Sequence, residues 1–243
     1  MHPFLTGNAL KLIAALSMTI DHAGLLLFPQ YPVLRILGRL AFPIFAFQIA
    51  EGWAHTHDQR GYRRRMFFWA LVTEIPFNLM YGGGIVYPFH QNVLFTFWLA
   101  LLCLTFMEWA GKRGRVAFWL GAALACVMGY CLGFLTMADY FGYGVLTVLL
   151  FSLVRDLPLR PLWQLAGLAF INLGLMKGIT FPVTLLGHPV DIPQQALALL
   201  ALIPIWLYSG EQGPHNTAIR WACYAFYPVH MLVLAILWLY VLN

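Results

Sequence analysis

Long apolar runs separated by short polar breaks follow one another along the whole chain. A helix that crosses a bilayer needs about 20 predominantly apolar residues. On this basis the pattern predicts helices at 8–28, 33–54, 63–81, 93–110, 114–135, 139–154, 160–176, 190–208 and 217–241. We therefore expect an all-α, polytopic integral membrane helix bundle with about nine transmembrane helices (eight to ten), in which residues 1–243 form a single domain.

The composition agrees with a chain that mostly faces lipid. Of its 243 residues 61% are hydrophobic and only 9% are charged, whereas a soluble domain has roughly 25% charged residues. The net charge of +5 does not indicate nucleic acid, because the basic residues lie in short loops between apolar runs. The four cysteines lie in apolar segments, and the "HTHD" stretch at 55–58 has no further ligand nearby, so we expect no metal site.

The distribution of basic residues predicts the orientation. Ten of them fall in alternate loops on one side, against Lys177 on the other. The ten are Arg60, Arg63, Arg64, Arg65, Lys112, Arg113, Arg115, Arg155, Arg160 and Arg220. Since cytoplasmic loops carry the excess of Lys and Arg, we expect a cytoplasmic N-terminus.

Charged groups inside spans cost at least about 2.5 to 3.5 kcal/mol each, which makes them functional candidates. Lys11 and His22 are eleven residues apart, and eleven helical steps return to within about 20° of the same face, about 16 Å along the axis. Such a stripe suits a phosphate-bearing cofactor at the lysine and proton transfer at the histidine. Alternatively, Lys11 reaches to lipid headgroups and His22 is a satisfied core histidine.

Asp21 does not face His22, because consecutive helical residues point about 100° apart. We expect it to meet another helix, with Arg39 as the candidate, and a purely structural ion pair is the alternative. Arg35 and Arg39 share one face of the second helix, which Pro43 should kink.

Further polar residues cluster near the predicted outer surface or at mid-span. Glu74 and Asn78 share a face of the third helix, "HQN" opens the fourth helix with Asn92, and Asp139 opens the sixth. His230 lies in the last span. A basic segment lies on the opposite side and contains Arg60, Arg63, Arg64 and Arg65. It is first of all a signal of the orientation in the membrane, and phosphate binding by part of it is a second interpretation.

Several blocks resemble one known family. The stretches "LKLIAALSMTIDHAG", "GRLAFPIFAFQIAEGWAHT", "YRRRM", "TEIPFNL", "QNVLFTF", "DYFGYGVL" and "YAFYPVH" are similar, in order and spacing, to the TraX family of bacterial membrane proteins. The resemblance runs from about residue 9 to 232. Small departures are Thr73 for an expected serine, and Ala100 and Phe141 where glycine is usual.

The resemblance implies an acetyltransferase, since the founding TraX acetylates the N-terminal amine of conjugative pilin. Larger transmembrane acyltransferases that look related carry a basic residue, ten intervening positions and a histidine in their first helix, and Lys11 and His22 reproduce that spacing. We therefore expect an enzyme of the bacterial cytoplasmic membrane that moves an acetyl group from cytoplasmic acetyl-CoA to an acceptor on the outer side. The acceptor is an amine or hydroxyl of a pilin, another peptide, a glycan or a lipid.

Roles follow from this expectation. His22 is the general base, Lys11 binds the phosphates of CoA together with the basic segment, and Arg39 or Asn92 stabilises the oxyanion. Asp21 holds Arg39 or another partner, and Asp139 and His230 complete the candidate catalytic set. Two other functions stay open at this point: a proton-coupled transporter and a non-catalytic membrane assembly protein.

Overall fold

The computed structural model describes residues 3–176, 178–185, 188–214 and 216–239, and these are mostly helical. Lys177 and the end of the last predicted helix lie outside the described residues. The α-helices are α1 (Gly7–Leu26), α2 (Pro32–Gly38), α3 (Ala41–His55), α4 (Gln59–Gly82), α5 (Val93–Gly111), α6 (Arg115–Leu135), α7 (Phe141–Leu153), α8 (Arg160–Ala169), α9 (Leu202–Trp206) and α10 (Thr217–Leu237). Most of the segments that the hydrophobic pattern predicts correspond to one of these helices, and those at 33–54, 160–176 and 190–208 differ from it.

Two compact units make up the fold. The first contains residues 1–45 and 156–220, and the second contains residues 46–155 and 221–243. In the first unit the N-terminal segment pairs with the chain that follows α9, where the Leu5 amide donates to the Leu207 carbonyl at 2.8 Å and the Ser209 amide donates to the Leu5 carbonyl at 2.8 Å. These bonds fix the start of α1.

The second predicted helix is broken into α2 and α3 rather than kinked at its proline. The break falls at Arg39 and Leu40, and Pro43 lies in the first turn of α3. A proline has no N–H to donate and its ring clashes with the carbonyl four residues earlier, which here belongs to Arg39. The helix is therefore interrupted about one turn before Pro43, as the geometry of proline requires.

The core of the second unit is built by α5, α6 and α7. Leu101, Val145 and Leu149 are fully buried there. Gly133 of α6 and Gly142 of α7 face each other so closely that a Cβ on Gly133 would lie 2.5 Å from the Gly142 nitrogen. Small residues of this kind let two helix backbones approach without a hydrophobic driving force, as in membrane bundles.

The predicted helix at 190–208 is wrong in its first part. A two-stranded antiparallel hairpin, β1 (Thr180–Leu185) with β2 (His188–Pro193), precedes a 3₁₀ turn at Gln194–Ala201 and the short α9. The predicted helix at 160–176 is α8 continued by a π-helical turn at Phe170–Leu175. Apart from this hairpin the described residues form an all-α fold.

Among the residues that the structure describes, five helical segments are long and apolar enough to cross a membrane: Gly7–Leu26, Pro32–His55, Val93–Gly111, Arg115–Leu135 and Thr217–Leu237. Large apolar side chains are exposed along them, as on α1, where Leu12, Leu16 and Ile20 form a stripe of i, i+4 spacing. A soluble chain rarely exposes so much apolar surface. The chain is a helical membrane protein, and its orientation stays a prediction.

Candidate functional site

A carboxylate shared by two arginines joins α1 to the end of α2 in the first unit. Asp21 Oδ2 accepts a hydrogen bond from Arg35 Nη1 at 2.6 Å, and its Oδ1 accepts one from Arg39 Nη2 at 2.5 Å. The Asp21 and Arg39 side chains are only 10% and 9% exposed, while that of Arg35 is 27% exposed. The predicted meeting of Asp21 with Arg39 is confirmed, and Arg35, which shares a helix face with Arg39, is a second partner.

Close packing of α1 on α2 holds this ion cluster in place. A Cβ at Gly38 would lie 2.2 Å from Asp21 Cβ, so only glycine leaves room for the carboxylate. One turn earlier on α1, Ser17 Oγ donates to the Leu37 carbonyl at 2.7 Å. The cluster therefore brings one carboxylate and two guanidinium groups together at the contact of the two helices.

The Lys11 and His22 stripe lies on one uninterrupted helix, because α1 runs from Gly7 to Leu26. His22 is 8% exposed, and Ala14 and Met18, which lie between the two residues on the same face, are also buried. Lys11 is half-buried. It has no hydrogen bond or ion pair with any residue that the structure describes. The stripe therefore combines a buried imidazole with an ammonium group that has no counter-ion in the described part of the chain.

In the second unit, Asn92 joins α4 to the start of α5. Its Nδ2 donates to Glu74 Oε2 at 2.6 Å and to the Ala70 carbonyl at 2.8 Å, and its Oδ1 accepts from the Leu94 amide at 3.0 Å. Asn92 is fully buried and caps the N-terminus of α5. Both amide hydrogens are thus donated within the protein, and the predicted oxyanion role would require one of these bonds to break.

Asp139 pairs with His90 at the same end of this unit. His90 Nε2 lies 3.3 Å from Asp139 Oδ1, which also accepts a hydrogen bond from the Tyr140 amide at 3.0 Å. The Asp139 carbonyl oxygen accepts a hydrogen bond from Thr96 Oγ1. Asp139, a predicted site residue, and His90 therefore form one polar pair beside the start of α7.

The backbone around Asp139 is strained. Met137, Tyr140 and Phe141 have φ angles of 52°, 60° and 47°, which lie in the left-handed region that side chains disfavour. Phe141 occupies the position where the family resemblance implies a glycine. Strain of this kind costs about 1–3 kcal/mol per residue and is concentrated at functional sites.

His230 lies in the middle of α10 and is buried at 8% exposure. Its Nδ1 is 2.9 Å from the Phe226 carbonyl oxygen. Because a carbonyl oxygen only accepts, Nδ1 carries the proton, and Nε2 is the basic atom of the neutral ring. The ring also stacks on Phe226 with centroids 4.8 Å apart. This orientation suits either a proton carrier or a core histidine.

The basic segment at the start of α4 divides into two groups. Arg63 donates to Thr105 Oγ1 and Arg65 pairs with Asp58 at 3.4 Å. Arg60 and Arg64 are exposed and, among the described residues, have no hydrogen bond or ion pair. Of the predicted phosphate ligands in this segment, Arg60 and Arg64 are therefore the ones that do not have to give up an intramolecular partner.

Asp58 caps the same helix from outside the apolar spans. Its side chain accepts a hydrogen bond from the Gly61 amide at 2.8 Å. This bond, helped by Arg65, lowers the pKa of Asp58 below its usual value. The cap is therefore ionised at neutral pH.

Metal chemistry receives no support from side-chain placement. In the described part of the chain, no three His, Cys, Asp or Glu side chains come together as a metal site would require. Cys103, Cys126, Cys131 and Cys223 are free thiols. The expectation of no metal site stays a prediction.

Three residues belong to these clusters although they were not in the predicted catalytic set: Arg35, Glu74 and His90. Their pairings join positions far apart in sequence, such as His90 with Asp139, so spacing along one helix does not reveal them. The signal that was present is residue type, since each is ionisable and lies in or beside an apolar run.

Comparison with known proteins gives a consistent result. The protein family described as "TraX protein" matches residues 6–238. The chain is 29% identical over 240 residues to the probable fimbrial assembly protein FimC, serogroup H1, of Dichelobacter nodosus, covering 93% of this chain and 92% of that protein. It is 27% identical over 117 residues to the uncharacterized protein RP591 of Rickettsia prowazekii, covering 42% and 47% of the two chains. No solved structure matches.

Proposed function

Because the chain belongs to the TraX family, we propose that it is an integral membrane acetyltransferase. It moves an acetyl group from cytoplasmic acetyl-CoA to an amine or hydroxyl of an acceptor at the outer side of the bacterial cytoplasmic membrane. The observation that supports this proposal most directly is the stripe formed by Lys11 and His22 on α1. The Dichelobacter nodosus relative is named as a probable fimbrial assembly protein, which supports a pilin as the acceptor.

His22 is the general base of this reaction. It is buried in an apolar helix, where a proton acceptor is shielded from water that would otherwise hydrolyse the thioester. It takes the proton of the acceptor as the acceptor atom attacks the acetyl carbonyl carbon and the carbon–sulfur bond of acetyl-CoA breaks. Without it we expect a loss of about 10²- to 10⁴-fold in transfer rate, the usual contribution of general-base catalysis.

Lys11, Arg60 and Arg64 are each proposed, independently of one another, as ligands of the CoA phosphates. All three are cations without an ion-pair partner among the residues that the structure describes. A free cation is available to a phosphate without first breaking an internal bond. Arg63 and Arg65 contribute less, because each is already hydrogen-bonded within the chain.

Arg39 is the stronger of the two predicted oxyanion donors. Its guanidinium has five N–H groups in a rigid fork, and this fork is held in place by the bond from Nε to the Arg35 carbonyl oxygen and the bond from Nη2 to Asp21 Oδ1. Asn92 has already donated both of its amide hydrogens. Asp21 then acts as the group that orients Arg39.

The decisive experiment measures acetyl-CoA binding and turnover by the purified protein in detergent. His22→Ala should lower thioester hydrolysis and acetyl transfer by about 10²- to 10⁴-fold while leaving CoA affinity within about twofold, since a general base contributes to the chemical step. His188→Gln, which changes an exposed histidine of β2, is the matched control and should behave as the wild type.

Lys11→Ala tests the other end of the stripe. We expect the Kd for CoA to rise about tenfold, roughly the effect of losing one charge-assisted bond of about 1.5 kcal/mol, while hydrolysis at saturating acetyl-CoA persists. Lys112→Ala, which removes an exposed lysine elsewhere, should not change the Kd. A folded wild-type protein that neither binds nor turns over acetyl-CoA would exclude the enzyme and leave the transporter and the assembly protein as the remaining functions.

A further inference from the structure

Two glutamines of the first unit are buried, and no described residue makes a hydrogen bond to their side chains. Gln194 and Gln195, the glutamine pair, begin the 3₁₀ turn at Gln194–Ala201 and are each 8% exposed. Only the backbone is fixed there, since the Gln194 amide donates to the Ile179 carbonyl at 2.9 Å. A buried carboxamide without a partner is costly, because it carries two donor hydrogens and an acceptor oxygen. Contacts within the described residues therefore do not explain why glutamine stands at both positions.

Two other buried amide side chains of the same unit do have partners. Gln164 Oε1 accepts a hydrogen bond from Trp206 Nε1 at 2.9 Å, and Asn172 Nδ2 donates to the Leu168 carbonyl at 2.9 Å. The unit can thus satisfy an amide group that it buries. Within the described part of the unit, the glutamine pair differs from these two residues.

There is room beside the glutamine pair. A Cβ added to Gly178 would meet Gln195 Cγ at 3.8 Å and, apart from its chain neighbours, no other described heavy atom within 4 Å. The π-helical turn at Phe170–Leu175 packs against the same 3₁₀ turn. Short π-helical turns are rare and are frequently found at functional sites. This surrounding suits a site that admits a ligand.

The glutamine pair lies at about the same level of the first unit as His22. The Leu5 amide, before α1, bonds to the Leu207 carbonyl, after α9, whereas the 3₁₀ turn packs against α2, which packs against the second half of α1. The segment from the 3₁₀ turn to α9 therefore runs in the direction opposite to α1. With a rise of about 2.0 Å per residue in a 3₁₀ helix and about 1.5 Å in an α-helix, Gln195 lies roughly 20 Å from Leu207, and His22 lies roughly 25 Å from Leu5. The two levels agree within about one helical turn.

The donor of the proposed reaction carries amides at the matching place. The pantetheine arm of acetyl-CoA contains two secondary amides, and two methylene groups separate the nearer one from the thioester sulfur. When the thioester carbonyl lies at His22, this amide lies within about one helical turn of it. A carboxamide side chain and a secondary amide complement each other, because each offers an N–H donor and a carbonyl acceptor. The arm is uncharged, so neutral partners suit it.

We propose that Gln194 and Gln195 bind the amides of the pantetheine arm and thereby hold the thioester beside His22. This inference rests on the proposed acetyltransferase function and adds to it a binding site for the middle of the donor. The site and the stripe of Lys11 and His22 belong to the same unit.

The test compares thioester donors with and without an amide. Acetyl-CoA carries both amides, S-acetyl-N-acetylcysteamine carries only the one nearest the sulfur, and S-pentyl thioacetate has a chain of the same length without an amide. Hydrolysis of each donor is measured for the wild type and for the double variant that combines Gln194→Met with Gln195→Met. Methionine is unbranched like glutamine but has no amide. Gln30→Met, which changes an exposed glutamine of the same unit, is the matched control.

We expect the KM for acetyl-CoA and for S-acetyl-N-acetylcysteamine to rise about tenfold in the double variant, roughly the effect of losing the hydrogen bonds to the donor, while kcat stays within about twofold. Hydrolysis of S-pentyl thioacetate should stay within about twofold of the wild-type rate. The Tm should not fall, because two unpaired polar groups leave the interior and no bond to a described residue is lost. Glutamines that only supported the fold would lower the Tm when replaced.

Four results separate the alternatives. An unchanged KM for acetyl-CoA overturns the inference, and so does an equal loss with the amide-free donor together with a lower Tm, which assigns the glutamine pair to the fold. If the wild type hydrolyses S-acetyl-N-acetylcysteamine no faster than S-pentyl thioacetate, the amide is not recognised, and the inference fails while acetyl-CoA turnover stands. If the wild type turns over none of the three donors, the proposed function itself fails.

Discussion

Replacing Asp21 by asparagine removes the carboxylate that two arginines share. The asparagine side chain is isosteric, but it presents an NH₂ group where one of the guanidinium groups of Arg35 and Arg39 now donates. The change leaves two positive groups, spaced i, i+4, without the carboxylate that balances them. We expect a large loss of stability without a cavity.

The size of the loss follows from burial. A hydrogen bond to a charged group contributes about 1.5–3 kcal/mol, and removing one partner of a buried ion pair costs about 3–5 kcal/mol. The Arg39 side chain is 9% exposed, so its bond counts fully, whereas the 27% exposure of Arg35 lets water replace part of its bond. We expect about 3–5 kcal/mol in total, or a fall in Tm on the order of 10 °C.

The measurement is thermal unfolding in detergent, followed by circular dichroism and by the recovery of monodisperse protein. Asp156→Asn, which changes an exposed aspartate of the same unit, should shift the unfolding free energy by less than about 0.5 kcal/mol. In an Arg39→Met background, Asp21→Asn should cost at least about 1.5 kcal/mol less than in the wild type, since the pair is already broken. A loss below about 1 kcal/mol, or equal losses in both backgrounds, would refute the shared-carboxylate explanation.

Three further predictions concern the second unit. Asn92→Ala should destabilise the protein by about 2–4 kcal/mol, because it removes the cap of α5 and a bond to Glu74, and an unfolding curve like that of the wild type would contradict it. Phe141→Val should be less stable than Phe141→Gly by about 1–2 kcal/mol, the reverse of the order in an ordinary helix, because φ is 47° there. Asp58→Asn should keep the cap of α4 and Asp58→Ala should lose it. The pKa of Asp58 is lowered in the folded protein. The stabilisation by its carboxylate is therefore present above the unfolded pKa of about 4 and is lost as the pH falls further. The Tm difference between the wild type and Asp58→Asn should accordingly shrink from about pH 6 to about pH 3.

The hydrophobic pattern predicted most helices because the length of an apolar run and the position of its polar ends are local properties. The pattern failed where a segment is apolar on average but its apolar positions do not have the periodicity of a helix. The stretch "TFPVTLLGHPVDIP" at 180–193 is apolar, yet its prolines and β-branched residues disfavour a helix, and its two described halves pair as antiparallel strands. The conformational preferences of the individual residues indicate strands here, whereas hydropathy averaged over a window of residues does not.

Only those features of the candidate site that depend on the spacing of residues along one helix could be predicted from the sequence. The angle between consecutive helical residues led to the prediction that Asp21 meets another helix, and its bond to Arg39 confirms that prediction. Asn92 could have been recognised as a cap, since it stands directly before an apolar helical run. The pairing of His90 with Asp139 depends on a backbone bridge between two loops, which no spacing in the sequence encodes.

The polar residues of this membrane protein fall into two groups that differ in their hydrogen bonds, although their positions in the sequence do not distinguish them. Asp21 and Asn92 have partners for the groups that would do chemistry, and their burial is explained by the helix contacts they make. Lys11 and His90 Nδ1 are polar groups at or beside apolar spans that no described residue satisfies. Leaving such a group unpaired costs free energy that no contact within the described residues offsets. A ligand that pairs with either of these two groups would therefore gain binding free energy there. Substitutions at these two positions should change binding or turnover more than they change stability.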